Sequence, residues 1–115
     1  MSFQTRALLL TLAIELPCVL ALGHARGWMK SPQRLAWLLA ACAATLCTHP
    51  FAWEAAITHN PDLTPEGKVA RIEGAVVLAE AVLYALALRL HPLRALALSF
   101  LANTTSFLVG LLWLR

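Results

Sequence analysis

The sequence predicts an all-α protein: a four-transmembrane-helix antiparallel bundle with polar stripes turned inward. Three observations predict it. Hydrophobic residues make up 60% of the 115 residues and charged residues 13%, against roughly 45–50% and 25% in an ordinary soluble domain. Mean hydropathy is +0.71. The apolar residues gather in four segments, each near the ~20 residues that cross a bilayer as a helix. The polar residues within those segments recur at helical spacing. A soluble globule this small must keep much of its surface wet, and this chain lacks the polar residues to cover it. The composition excludes a soluble enzyme, a disordered tail and a disulfide-stapled secreted domain. One integral membrane domain over residues 1–115 is expected.

The helices are expected at about 7–23, 32–53, 65–90 and 92–114. The first covers the apolar run from Ala7 to Leu22. A signal peptide is its rival reading, with Arg6 before the run and Ala21-Leu22-Gly23 as a cleavage site. Glu15 in the middle of the run argues against that. Cys18 is not a lipoprotein cysteine, because Glu15-Leu16-Pro17 lacks the small residues expected before one. The second helix runs from Leu35 to His49 and on to Trp53, opened by Ser31 as N-cap with Pro32 in the first turn. Pro50 either kinks this helix or ends it. If it ends it, Phe51 to His59 becomes a short interfacial segment carrying Trp53 and Glu54.

Asn60-Pro61-Asp62 reads as a turn. The third helix, apolar from Val69 to Leu90, opens on Thr64-Pro65-Glu66, a cap, a first-turn proline and an acid suited to the helix dipole. His91-Pro92 ends it and starts the fourth helix after almost no loop, which makes these two antiparallel neighbours. The fourth is apolar from Ala95 to Leu114. His24 and His91 sit at helix ends and need no special role. Glu54, His59, Asp62 and Glu66 read as a solvated loop.

Lys and Arg in short loops set orientation. With four spans, both termini and the 54–68 loop share one side, which carries Arg6, Lys68, Arg71 and Arg115. The other side carries Arg26, Lys30 and Arg34 in one loop and Arg89 and Arg94 around the tight turn. The tally is five against four. The basic cluster predicts that loop 24–34 faces the cytoplasm. Trp28 and Trp37 are expected at that interface, Trp53 and Trp113 at the other.

Helix positions spaced 3, 4, 7 and 11 share a face. Thr11, Glu15 and Cys18 form one stripe; Cys42, Thr45 and His49 a second; Glu73, Val77, Glu80 and Tyr84 a third. Ser99, Asn103, Ser106 and Gly110 form the fourth. In lipid these stripes turn inward and the leucines outward. Glu15, Thr45, Glu80 and Asn103 fall near mid-span. His49 and Glu73 lie roughly two turns nearer the side of the termini. Pro17 and Pro50 also free the carbonyls of Ala13 and Leu46 from the helical ladder.

A stripe of Ser, Asn and Gly on a membrane helix is packing glue, and this is the plain reading of Ser99, Ser106 and Gly110. The carboxylates are different, since a charge at the bilayer centre costs on the order of 3 kcal/mol. Either each is hydrogen-bonded and locks the bundle, or one takes up and releases a proton or cation. His49 alone reads as a satisfied polar contact. Cys18, Cys42 and Cys47 read as small buried hydrophobes, and no close Cys pair marks a metal knuckle. No nucleic-acid motif, cofactor or metal site is expected.

Small multidrug transporters are similar in length, helix number and the position of Glu15. The small residues they carry around that glutamate and their aromatic-rich third helix are absent, so their activity is not transferred. The chain more closely resembles a family of small four-helix bacterial inner-membrane proteins of no assigned function. The resembling motifs are Glu15 and Pro17; Thr48, His49, Pro50 and Trp53; Glu73, Glu80 and Tyr84; and Ser99, Asn103, Ser106 and Gly110. The resemblance implies fold and location and brings no chemistry.

The leading expectation is a proton- or cation-coupled transporter or permeation subunit of the bacterial inner membrane. Glu15 and Glu80 would handle the ion, His49 and Glu73 would line its access path and Asn103 would hold the geometry. The expected partners are the lipid bilayer and either a homo-oligomer, since one bundle leaves little room for a substrate cavity, or a larger membrane complex. The alternative is an accessory or assembly subunit of such a complex. An intramembrane enzyme comes third, because no nucleophile constellation is evident.

Overall fold

A computed structural model describes residues 2–58 and 61–113, apart from the side chains of Phe3, Ser31 and Trp113. The expectations for His59, Asn60, Leu114 and Arg115, the Ser31 cap and the Trp113 interface position lie outside the described residues. The chain forms four α-helices and one short 3-10 turn: α1 (Phe3–Ala25), the turn (Ser31–Gln33), α2 (Arg34–Ile57), α3 (Pro65–Leu88) and α4 (Pro92–Trp113). No strand occurs among the described residues. With 22 to 24 residues apiece, each helix is about 33–36 Å long.

Local chemistry sets the helix ends. Ser2 Oγ accepts from Thr5 N at 3.1 Å to open α1. Thr64 Oγ1 accepts from Gly67 N at 3.0 Å to open α3, as its sequence predicts. His91 Nδ1 accepts from Leu93 N at 3.1 Å, so the histidine read as idle is a cap for α4. The expected start of α2 at Ser31-Pro32 is displaced. Gln33 holds that stretch as a tight turn, its amide donating to Lys30 O at 2.8 Å and its Oε1 accepting from Lys30 N at 3.1 Å. The α-helix begins after it, at Arg34. α1 closes with Gly27 at φ +70. Trp28 N donates to Gly23 O at 2.9 Å and Gly27 N to His24 O at 3.1 Å, the paired bonds of a Schellman ending. α3 stops at Leu88, two residues short of expectation, because Arg89 takes the left-handed conformation (φ 53, ψ 40). Pro50 does not end α2, so Phe51 to Ile57 are helical and not a separate interfacial segment.

Each helix packs against its neighbours in sequence, and α1 against α4 closes a four-cornered ring. Among the described residues the backbones of the diagonal pairs stay more than 8 Å apart, Cα to Cα. Val19, Trp37, Tyr84 and Leu98 pack together at one end, while Ala7, Ala56, Val69 and Leu111 border one space at the other. Adjacent helices therefore run in opposite directions.

Two expectations about side chains are corrected. Trp37 is not at an interface; it is 1% exposed, in the core. Gly23 makes room for it, and a Cβ there would lie 2.4 Å from a Trp37 ring carbon. The cysteines are not buried either: Cys18 and Cys42 are half-buried and Cys47 is exposed. An exterior as apolar as the interior accommodates a thiol on either face. Trp28 is half-buried, with the guanidinium carbons of Arg26 and Arg94 5.9 and 5.7 Å from its ring.

The outer surface is apolar, with Leu35, Phe51, Leu86 and Leu112 between 65% and 79% exposed. α1, α2 and α4 are long and apolar enough to cross a membrane. α3 is not among them, because any stretch of it that long includes at least three charged residues, as with Arg71, Glu73 and Glu80. This is a helical bundle with the exterior of a membrane protein.

Candidate functional site

The site lies near the middle of the bundle, where all four helices contribute. Glu15 of α1 and Glu80 of α3 are each 1% exposed, and their carboxyls are neighbours close enough to interact. Their surroundings differ. Glu80 has a polar partner on both oxygens: Asn103 Nδ2 donates to Oε1 at 2.9 Å, and the Thr48 hydroxyl lies 3.1 Å from Oε2, its one proton shared with Ala44 O at 2.9 Å. Glu15 has one, the Ser106 hydroxyl, which donates to Oε2 at 2.9 Å. Its other oxygen, Oε1, is buried without a donor among the described residues.

α4 supplies most of the scaffold. Asn103 Nδ2 also donates to Ser99 O at 2.9 Å and lies 3.3 Å from Ser99 Oγ. Ser99 Oγ in turn donates to Val77 O of α3 at 2.8 Å, which pins α4 to the backbone beside Glu80. The i, i+4, i+7 spacing of Ser99, Asn103 and Ser106 is what aims three polar groups at one face. Ser99 and Ser106 are thus hydrogen-bonding members of the site as well as small packing residues. Among the described residues nothing lies within 4 Å of where a Cβ would stand on Gly110.

The bundle is unequal on the two sides of this layer. Toward loop 26–33, fully buried Trp37, Tyr84, Leu98 and Val19 close the interior. Toward the opposite end a cavity of about 390 Å³ begins at Glu15, Thr48 and Asn103 and extends to Ala56 and Leu111. His49 and Glu73 line it, and among the described residues no Lys or Arg does. The His49 ring stacks on Trp53 at 6.4 Å and 22°, and its Nε2 is buried without a partner among the described residues.

The sequence-predicted residues Glu15, Glu80 and Asn103 come together. Glu73 and His49 line the cavity with Glu15 and Asn103, while Glu80 stands behind its lining. Thr48 is the member that sequence reasoning left out of its second stripe. The signal was present in Ala41, Ala44, Thr45, Thr48 and Ala52, small residues at spacings of three and four, of which Ala41, Ala44 and Thr45 are buried. Cys42, placed on that stripe, is only half-buried. Thr45 is 2% exposed and its hydroxyl has no partner among the described residues.

Such a group can hold a proton between two carboxyls beside the inner end of the cavity. The donors around it are N–H and O–H groups, which suit a carboxylate acceptor. No family model matches the chain, and neither a characterised protein nor a solved structure is significantly similar to it.

Proposed function

We propose that the protein is a proton- or cation-coupled transporter or permeation subunit, with Glu15 and Glu80 as its ion-handling pair. One observation carries the reading: two neighbouring buried carboxyls, of which Glu15 lines the inner end of a cavity that extends toward one end of the bundle. Two ionised carboxylates in such a place repel, so one proton between them is the natural occupancy. Glu80 is the acceptor, both of its oxygens being held by Asn103 and Thr48. Glu15 carries the proton on Oε1, the oxygen without another partner. Glu73 and His49 line the approach. In this reading all four helices span the bacterial inner membrane, α3 included, because its two central carboxyls face inward. Loop 24–34 faces the cytoplasm, and a homo-oligomer completes the substrate path.

The test is proton flux into liposomes holding the purified protein. Glu15→Gln and Glu80→Gln are expected to abolish flux while the helical content stays that of the wild type. Unchanged flux in Glu80→Gln would refute the reading.

A second reading, an accessory or assembly subunit, is favoured by the exposed leucines: Leu35, Leu86 and Leu112 all point away from the core. It predicts stoichiometric foreign subunits in native mass spectra of the protein extracted gently from its own membrane. Emergence alone or as a homo-oligomer counts against it.

A further inference from the structure

The end of the bundle away from the cavity gathers Arg26, Lys30 and Arg34 from one loop and Arg89 and Arg94 from the α3–α4 turn. No Asp or Glu lies in either segment; Glu54, Asp62 and Glu66 all sit at the opposite end. Below this basic rim a groove of about 650 Å³ runs along α1 and α2, outside the core. The α1–α2 seam is the least closely packed of the four. Leu20 and His24 border the groove from α1, and Arg34, Leu35 and Leu38 border it from α2. His24 and Arg34 stand toward the helix ends, and Leu20 and Leu38 lie one turn, or about 6 Å, deeper.

A charged rim above an apolar floor at a bundle end has a specific chemical complement. Free phosphate makes no use of the floor, and a zwitterionic lipid makes poor use of a rim without acids. A phospholipid with net negative charge uses both. Its phosphate meets Arg34 beside His24, and an acyl chain lies along Leu20, Leu35 and Leu38. We infer that the α1–α2 groove is a binding site for one anionic phospholipid. The site is separate from the carboxyl pair and does not depend on what that pair does.

The test is native mass spectrometry of the full-length protein in detergent, titrated with phosphatidylglycerol or with phosphatidylcholine of the same acyl chains. One phosphatidylglycerol per chain is expected to be retained about tenfold better than phosphatidylcholine, and Arg34→Gln to weaken its retention about fivefold. Leu38→Trp, which fills the groove, is expected to displace both lipids. Arg34 and Leu38 are exposed, so neither change disturbs the core, and circular dichroism checks this. Equal retention of the two lipids overturns the inference, as does unchanged retention in Arg34→Gln. A preference that disappears in Arg89→Gln or Arg94→Gln instead puts the lipid elsewhere and overturns it too. Displacement by inorganic phosphate marks a headgroup site without the groove, and a co-purifying protein lost in Leu38→Trp marks a protein interface; both overturn it.

Discussion

The two halves of the bundle are built from the same four helices and behave as different materials. In the half beneath loop 26–33, a tryptophan fills the space a glycine leaves, and Tyr84, Leu98 and Val19 close around it. In the half nearer the 58–64 loop, Ala7, Ala52, Ala56 and Gly110 are among the residues around a cavity that remains. The difference teaches that small residues do opposite things according to what stands across from them. Opposite a large ring a glycine makes a tight joint, and opposite other small residues it makes a void. The carboxyl pair lies at the boundary, packed on one side and approachable on the other.

Trp37→Ala breaks this contrast most directly, because it gives the closed half a cavity of its own. The expected loss is about 3–5 kcal/mol, read from denaturant titration in detergent. Gly23→Ala is the next strongest. Its Cβ has nowhere to go beside a buried ring, and overpacking of this kind costs about 1–3 kcal/mol. A melting temperature unchanged by Gly23→Ala would mean that Trp37 is free to move.

Thr48→Val probes the boundary itself. It removes one of the two polar partners of Glu80 while keeping shape, and a loss of about 1 kcal/mol is expected. Gly110→Ala sharpens the comparison by reversing its sign. The same substitution that strains the closed half meets nothing among the described residues here, so the helix gains about 0.5–1 kcal/mol from alanine. Destabilisation by Gly110→Ala would show the cavity to be filled.

Much of the site was legible because polar groups are rare in apolar helices. Glu15, Glu80 and Asn103 stand out in runs of Leu, Ala and Val, and helical spacing aims each of them at the same interior. The positions of His49 and Glu73 along the cavity follow from simple depth counting. Trp37 and Thr48 were harder to read. In lipid the outer face of a helix is as apolar as its core face, so burial of a tryptophan leaves no periodic contrast with its neighbours. Thr48 sits beside Ala and Thr residues at equivalent spacing, and only the opposing Glu80 singles it out. Pro50 removes a donor from the ladder without saying whether the chain bends or stops, and α2 continues past it to Ile57. The start of α2 was misplaced because Gln33 competes with Ser31-Pro32 for the turn.

The hydroxyl of Ser106 reaches Glu15 across 91 positions of sequence, through the one helix seam that joins the ends of the ring. Synthesis delivers Glu15 first and Ser106 last. Throughout that interval a carboxyl waits in an apolar setting with its partner still unmade, a condition worth several kcal/mol of instability. A chain that stalls before α4 is seated keeps that defect permanently. The same glutamate that lies partnered in the finished protein thus advertises the unfinished one, and it gives membrane proteolysis a chemical reason to tell them apart.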